Sequence, residues 1–286
     1  MSTVNLTSAM RANLISLQQT AQLQSQTQQR LSTGLKVNSA IDNPASYFAA
    51  AGYNQRADQL STLKDNIGEA VQMINTANTG VTGLQTLISS LQGQLTQASS
   101  ALGQSTSGTL LTSAVNAYNT IIQQMDQLSQ TDSNYKGVNF LKSSTTLTVN
   151  FNETSTTSIT LSGFDASTSG LAISGAAATA GSIGTLTTSN ISSTSGIANV
   201  QKSLNSALAT LQADATTLAS NLSVLQTRQT FMSSMINTLQ DGASNLTAAD
   251  TNAEGANMLM LQTRQSLGVT ALSLASQAAQ SVLRLF

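Results

Sequence analysis

Carboxylates are the side chains through which this chain could perform acid–base chemistry, because its 286 residues include no histidine and no cysteine. Histidine is the commonest general base and transition-metal ligand, and cysteine supplies thiolate nucleophiles and disulfides. The acidic residues of the first half are scattered: Asp42, Asp58, Asp65, Glu69, Asp126 and Asp132. Two of them could meet in space, but separate surface acids are the simpler interpretation. We expect no catalytic, cofactor-binding or metal-binding residues.

Motifs that bind phosphate are absent as well. The sequence has neither G-x-x-x-x-G-K-[ST] nor G-x-G-x-x-G, and it has no G-x-S-x-G nucleophile elbow and no EF-hand spacing. Eleven basic and 12 acidic residues give a net charge of -1, without a basic run that could follow a nucleic-acid backbone. These features predict a protein that is not an enzyme and that binds no nucleic acid and no small-molecule substrate.

The composition favours a chain whose surface is covered by other chains. Charged residues make up 8% of the sequence, against about 25% in ordinary soluble proteins. Apolar residues make up 40%, which is enough for a core. Glutamine, serine, threonine and asparagine take the place of the missing charges. A surface with so little charge suits burial against neighbouring molecules.

An apolar repeat that alternates steps of three and four residues predicts one very long helix of coiled-coil type. It runs for six heptads without a polar residue: Leu60, Leu63, Ile67, Ala70, Ile74, Ala77, Val81, Leu84, Ile88, Leu91, Leu95, Ala98 and Leu102. The predicted core residues of this helix are Leu60, Leu63, Ile67, Ile74, Val81, Leu84, Ile88, Leu91 and Leu95. Gly68, Gly80, Gly83 and Gly93 lie off the repeat, and either close helix packing or neutral drift explains them.

Helical periodicity also appears before and after this segment. A shorter repeat includes Leu14, Leu17, Leu31 and Leu35, and Pro44 predicts a turn after it. A third helix follows the long one, with Leu111, Ala114, Tyr118, Ile121, Met125 and Leu128. The periodicity returns from Ile197 to Leu239, and a last segment includes Met260, Leu267, Leu274 and Leu285. Asp214, Asn221 and Arg228 interrupt the apolar repeat of the fourth helix; they either fix its register or lie at its edge.

The amino-acid composition changes in the middle of the chain. Between Ser143 and Gln201, Glu153 and Asp165 are the only charged residues. Apolar residues alternate with polar ones around Leu147–Phe151, Ile159–Leu161 and Leu171–Ile173, which is typical of short β-strands. A disordered polar linker is the alternative. We expect a small β-rich domain here.

The predicted architecture is mainly α. A long antiparallel coiled-coil or helical bundle is formed by both chain ends, because neither end has another apolar face of comparable length to meet. We divide the chain into residues 1–38 plus 253–286, a terminal helical domain; 39–141 plus 197–252, a long-helix bundle; and 142–196, an exposed β-rich insert. The predicted subunit-packing residues are Leu14, Leu17, Leu31, Leu35, Leu267, Leu274, Leu283 and Phe286.

The N-terminal residues do not form a basic segment followed by an apolar one, so they do not read as a secretory signal peptide. No apolar run approaches the roughly 20 residues of a membrane span. We therefore expect no membrane partner, and export by a route that leaves the N-terminus in place.

Three segments have a distinctive sequence: residues 29–42 (QRLSTGLKVNSAID), residues 134–141 (NYKGVNFL) and residues 280–286 (QSVLRLF). They resemble, in this order, the N-terminal signature, the hairpin after the third helix and the C-terminal ending of bacterial flagellins. The resemblance covers about residues 1–141 and 197–286, in the family's order and spacing. The middle is unmatched, as the family's variable outer domain would be. Ala279 and Phe286 depart from the proline and arginine that the family often has there.

The resemblance implies a subunit that polymerises into the extracellular flagellar filament used for swimming. It implies terminal helices that line the inner tube of the filament, a second helical layer around it and a surface-exposed insert. It also implies secretion through the flagellar type III pathway, with an export chaperone, a filament cap and hook-junction proteins as partners beside copies of the chain itself. No cofactor is implied.

Three alternatives remain at this stage. A hook–filament junction protein would share both helical ends but be present in few copies. A secreted enzyme on a coiled-coil scaffold is disfavoured by the missing histidine, cysteine and site motifs. A membrane-anchored adhesin is disfavoured because the sequence has no anchor.

Overall fold

A computed structural model describes residues 8–102, 104, 107–173 and 186–283 of the chain. The chain is mainly helical there, as predicted. Its α-helices are α1 (Ser8–Thr33), α2 (Pro44–Ala101), α3 (Ser107–Gln127), α4 (Thr194–Thr247) and α5 (Thr251–Leu283), and its strands are β1 (Thr146–Asn150) and β2 (Ser158–Ser162). A π-helical turn, Leu128–Asp132, continues α3, and a short 3-10 helix, Thr188–Ile191, precedes α4. None of the helices in these ranges has an apolar stretch that could cross a membrane.

The chain divides into two compact units. Unit 1 consists of Met1–Asp58 and Ile236–Phe286, and unit 2 consists of Gln59–Met235. Helices α2 and α4 contribute residues to both units. The division of the chain into three functional parts stays a prediction.

The turn predicted at Pro44 lies between α1 and α2. Pro44 is the first residue of α2, where its missing N–H costs nothing because the first helical N–H groups have no intrahelical partner. The Asn43 Oδ1 atom accepts a hydrogen bond from the Ser46 N–H at 3.1 Å. Asparagine is a preferred N-cap residue for this reason, so local chemistry is enough to start the long helix here.

Unit 2 has one hydrophobic core, to which α2, α3 and α4 all contribute. The Gln92 Nε2 atom donates to Asn205 Oδ1 at 2.9 Å, and a β-carbon at Gly68 would lie 3.4 Å from Gln229 Nε2. Positions early in α2 thus meet positions late in α4, so the two helices run antiparallel within this unit. The long-helix positions from Leu60 to Leu95 named above are buried, except Leu63, which is partly buried.

Of the four α2 glycines named above, two lie where other side chains approach the helix closely. A β-carbon at Gly80 would lie 2.8 Å from Leu141 Cδ1 and would also collide with the Ser133 hydroxyl, and one at Gly83 would lie 2.9 Å from Leu128 Cδ2. Contacts this short require a shift of the neighbour. Gly93 has no such neighbour within 4 Å. Close packing therefore explains Gly80 and Gly83, but not Gly93.

The β-rich segment forms one antiparallel hairpin, in which Leu147 faces Leu161 and Val149 faces Ile159. Val149 and Leu161 are buried and belong to the same core as the helices. The strand predicted at Leu171–Ile173 is wrong. Leu171 and Ile173 are buried in a turn, in which their N–H groups donate to the carbonyls of Ser167 and Thr168.

The reason for this turn is a long-range polar contact. The Asp126 carboxylate at the end of α3 accepts hydrogen bonds from the Thr168 N–H at 2.9 Å and from its hydroxyl at 3.0 Å. In this backbone conformation the side chains of Leu171 and Ile173 are both buried in the core, although neither residue pairs in a sheet. Residues 174–185 of the predicted insert lie outside the described residues, and an independent inserted domain stays a prediction.

A matched pair of valine substitutions tests the core of unit 2. Val81 on α2 is 1% exposed and Val224 on α4 is 41% exposed. We expect Val81→Ala to lower the free energy of unfolding by about 2 kcal/mol, since two methyl groups leave the core and a cavity remains. Val224→Ala should cost less than about 0.5 kcal/mol. Denaturant unfolding followed by circular dichroism measures both, and equal losses would contradict the assignment of Val81 to the core.

Candidate assembly interface

Helices α1 and α5 contact each other in unit 1. A β-carbon at Gly268 would lie 2.7 Å from Leu17 Cδ2, so the absence of a side chain at Gly268 lets Leu17 pack against α5. Some thirteen residues later in α1, the Arg30 Nη1 atom lies 3.0 Å from Glu254 Oε1 in the first turn of α5. Since positions late in α1 meet positions early in α5, the two helices are antiparallel.

Backbone hydrogen bonds join the α1–α2 connection to the α4–α5 connection. The Lys36 N–H donates to the Thr247 carbonyl at 2.7 Å, and the Ala249 N–H donates to the Gly34 carbonyl at 2.8 Å. Leu35 and Ala248 therefore pair as an isolated antiparallel β-bridge. Gly34 ends α1 with φ at +70°, a conformation that glycine adopts without steric cost. These hydrogen bonds hold the α1–α2 connection against the α4–α5 connection.

Asp42 organises the connection that follows. Its Oδ2 atom accepts hydrogen bonds from the Asn38 N–H at 3.0 Å, the Ser39 N–H at 2.9 Å and the Ser39 hydroxyl at 3.2 Å. The backbone hydrogen bond from Ser39, followed by that from Asn38, lowers the pKa of Asp42 below its ordinary value of 3.8. The Asn38 Nδ2 atom donates in turn to the Leu35 carbonyl at 3.1 Å. The signature residues thus shape a turn, and no reactive group results.

Glu254 is a functional residue that the sequence analysis missed. It is buried, and its carboxylate pairs with Arg30 at a distance of 224 residues along the chain. Asp250 caps the same helix, because its Oδ1 atom accepts hydrogen bonds from the Asn252 N–H at 2.9 Å and the Ala253 N–H at 3.1 Å. An acidic residue in the first turn of α5 was the available signal for Glu254, but only the fold shows its partner.

The predicted packing residues differ in exposure. Leu14, Leu267 and Leu274 are exposed, whereas Leu17, Leu31 and Leu35 are partly buried within unit 1. Leu283 is the last described residue of α5, but its side chain is not described, and Phe286 lies outside the described residues. The structure adds further exposed apolar side chains on the same two helices: Ile15, Leu23, Leu259, Met260 and Val269.

Helix α5 has apolar side chains on more than one side. Leu259, Met260 and Leu261 are consecutive, so they point about 100° apart around the helix axis. Leu261 is buried, while Leu259 and Met260 are exposed. A helix that is apolar all round is normally buried on all sides. The contact of α5 with α1 thus leaves Leu259 and Met260 uncovered.

In the part of the chain that the structure describes, no three carboxylates come together as a potential metal site. The described residues form a pair of antiparallel end helices with exposed apolar side chains and a long-helix bundle with its own core. Exposed apolar surface of this kind is typical of structural proteins that pack against other chains.

Known proteins of this class match the chain over nearly its whole length. The profile of the bacterial flagellin N-terminal helical region matches residues 1–146, and that of the C-terminal helical region matches residues 204–286. The chain therefore belongs to the bacterial flagellin family, and it is a structural subunit of the flagellar filament.

Individual relatives agree with this assignment. The chain is 32% identical to flagellin FljN and 28% identical to flagellin FljM of Caulobacter vibrioides, in each case over 91% of this chain and 90% of the relative. It is 26% identical to a flagellin of Brucella melitensis over the same shares. These relatives favour the filament subunit over the hook–filament junction protein.

The lowered pKa of Asp42 predicts how the contribution of its carboxylate to folding stability depends on pH. Because folding lowers this pKa, the ionised carboxylate stabilises the fold above the pKa of the unfolded chain, and the effect is lost as the pH falls through the folded value. Asp42→Asn should therefore destabilise unit 1 near neutral pH, and its difference from wild type should shrink below about pH 3.8. Thermal unfolding at pH 3 to 7 measures this.

The control for this prediction is Asp42→Glu, which keeps the charge but displaces the carboxylate by one methylene. We expect it to resemble Asp42→Asn near neutral pH, because the three short hydrogen bonds depend on position. A wild-type stability for Asp42→Glu would contradict that role.

Loss of the Arg30–Glu254 ion pair should destabilise α5. The side chains of Arg30 and Glu254 are 31% and 11% exposed, respectively, so neutralising Glu254 would leave the Arg30 charge partly desolvated and unpaired. We expect Glu254→Gln to lower the free energy of local opening of α5 by about 1–2 kcal/mol. Glu69→Gln breaks an exposed ion pair, in which the side chain of Lys136 is 57% exposed and that of Glu69 is 50% exposed. This substitution should cost less than about 1 kcal/mol. Hydrogen exchange of the helix amides measures both losses, and equal losses would contradict the prediction.

Proposed function

We propose that α1 and α5 form an antiparallel coiled coil that lines the inner tube of the filament, and that their exposed apolar side chains drive polymerisation by packing against neighbouring copies. The observation that carries this proposal is the set of uncovered apolar residues on these two helices: Leu14, Ile15, Leu23, Leu259, Met260, Leu267, Val269 and Leu274. Isolated in water, these faces would be poorly solvated, and in a polymer they would be covered.

The energetic argument requires many such residues to act together. Covering one half-exposed leucine contributes about 1 kcal/mol. Association costs on the order of 4–15 kcal/mol in lost translational and rotational freedom and in ordering of side chains. One or two exposed apolar side chains would not offset that cost, but the eight listed above could if each of them met a neighbour. A contact between different surfaces that does not close into a ring gives an open helical filament.

We propose three functional layers along the chain. Residues 1–38 with 253–286 form the inner tube, residues 39–141 with 197–252 form the layer around it, and residues 142–196 face outward. Leu283 and Phe286 belong to the inner layer in this proposal. The hydrogen bonds between the α1–α2 and α4–α5 connections support it, because they tie both chain ends to one position.

Location and further partners follow from family membership. We propose that the chain is secreted through the flagellar type III pathway, is held by an export chaperone beforehand, and is added under a cap to a filament that begins at hook-junction proteins. Its place of action is then extracellular, and it performs no catalysis and binds no nucleic acid, membrane or cofactor. The sequence has no histidine, no cysteine and no phosphate-binding motif that would argue otherwise.

Leu267 tests the proposal, because its side chain is 66% exposed and stabilises the isolated chain little. We expect Leu267→Asp to fold as the wild type does but not to form filaments, since each copy would bury an unpaired carboxylate. Leu267→Met keeps an apolar side chain and should assemble normally. Circular dichroism checks the fold, and electron microscopy of full-length chains seeded with sheared filaments checks growth. Filaments of normal length from Leu267→Asp would refute the proposed role.

A further inference from the structure

A cavity of about 240 Å³ lies in unit 2 between α2 and the π-helical turn that continues α3. Its lining residues are Thr76, Thr79, Gly80, Leu128, Asp132 and Ser133. Asp132 is the charged residue of this set, so the cavity carries one negative charge. Helical turns of the π type are rare and are often found at functional sites. The cavity is therefore a candidate binding site, separate from the exposed faces of the end helices.

The hydroxyl group of Ser133 is buried and unpaired at the wall of this cavity. Ser133 is 5% exposed, and its Oγ atom has no hydrogen-bond partner among the described residues. The hydroxyl lies so close to α2 that a β-carbon at Gly80 would collide with it. A buried polar atom without a partner is unfavourable, and native proteins commonly satisfy such an atom with a bound ion or water. The Ser133 oxygen is thus available to a ligand.

The remaining polar atoms of the cavity are acceptors. The Thr76 hydroxyl donates its hydrogen to the Gln72 carbonyl at 3.0 Å. The Thr79 hydroxyl donates in the same way to the Asn75 carbonyl, also at 3.0 Å. A hydroxyl has one hydrogen to donate and two lone pairs, so both oxygens can still accept, as can the ionised carboxylate of Asp132. A ligand that suits this set brings positive charge.

The backbone that carries Asp132 and Ser133 is held by hydrogen bonds of its own. The Ser133 N–H donates to the Leu128 carbonyl at 3.2 Å, which closes the π-helical turn. The buried Asn139 side chain donates through Nδ2 to the Ser129 carbonyl within this turn, at 2.8 Å. Because the turn is already ordered, a ligand of this cavity would lose little free energy in ordering the chain.

We propose that the cavity binds a hydrated calcium ion through the Asp132 carboxylate and the hydroxyl oxygens of Ser133, Thr76 and Thr79, with water completing the coordination. Calcium accepts about 6–8 oxygen ligands in irregular arrangements, whereas magnesium requires a near-ideal octahedron. The sequence has no EF-hand spacing, and this site needs none, since its oxygens come from two separate segments. One carboxylate with neutral oxygens also differs from a cluster of three carboxylates, which the described residues do not form.

The expected affinity is low, because a single carboxylate supplies the charge. Dissociation constants of about 10⁻⁴–10⁻³ M are typical of extracellular calcium modules, which suits the extracellular location proposed above. Bound calcium would join the π-helical turn to α2 and stabilise the folded state of unit 2, since the unfolded chain does not hold these oxygens together. The inference goes beyond the proposed function and does not depend on polymerisation.

Three substitutions test the proposal. Asp132 and Asp65 are both exposed and both belong to unit 2, but Asp65 does not line the cavity. We expect Asp132→Asn to weaken calcium binding at least about tenfold, because it removes the charged ligand. Ser133→Ala removes a neutral ligand and should weaken binding at least about threefold. Asp65→Asn, the matched control, should stay within about twofold of wild type, since it changes surface charge alone.

The measurement is isothermal titration calorimetry of unassembled full-length chains with calcium chloride at constant ionic strength. Circular dichroism confirms that each variant is folded and records thermal unfolding. Calcium at about ten times its dissociation constant should raise the Tm of unit 2 in the wild type by a few degrees. Magnesium at the same concentration should raise it less.

Three results would overturn the calcium site: no binding by the wild type, equal Tm shifts with calcium and magnesium, or the same affinity in Asp132→Asn or Ser133→Ala as in Asp65→Asn. Since these readouts need no filament, any of them would leave the proposed role of α1 and α5 intact. A failure of the wild type to polymerise would conversely leave the calcium site intact.

Discussion

The apolar surface of the two end helices is the constraint on which the rest of this structure depends. A chain can remove apolar side chains from water only where it has other segments to cover them. Unit 2 achieves this by itself, since α2, α3, α4 and the hairpin share one core. Helices α1 and α5 contact each other, yet several apolar side chains on both stay exposed among the described residues. In the proposed function these exposed side chains are the ones that neighbouring copies cover.

Several polar side chains of this protein hold turns and helices in position. Asp42 holds a turn through three hydrogen bonds, Asp126 holds the Thr168 turn against α3, and Arg30 pairs with Glu254 across the end helices. Each of these ionised groups has a defined structural partner. Many serine and threonine hydroxyls on the helices also have one, because they donate to carbonyls of their own helix. Such a surface is suited to being buried in a polymer.

Close approach of the backbone is the other requirement of the fold. Gly80 and Gly83 admit Leu141 and Leu128 against α2, and Gly268 admits Leu17 against α5. A methyl group at any of these positions would meet a neighbouring atom at less than 3 Å.

The sequence by itself determined the features that depend on neighbouring residues. The repeat from Leu60 to Leu102 determined the long helix, Asn43 and Pro44 determined where it begins, and the alternation around Val149 and Ile159 determined the hairpin. These signals are local, since helical and strand periodicity and capping act over a few residues. The prediction that the chain is not an enzyme also rests on residue types alone.

Only the tertiary structure decided what depends on residues far apart in the chain. Leu171 and Ile173 alternate as a strand would, yet the Asp126 carboxylate holds the preceding residues in a turn and the core accepts both side chains. The structural role of Glu254 depends on its ion pair with Arg30, which lies 224 residues away in the sequence. Likewise, Leu17 and Leu267 look alike in the sequence, but one packs against α5 and the other is left uncovered, because exposure is set by which helix faces the segment and not by the segment itself.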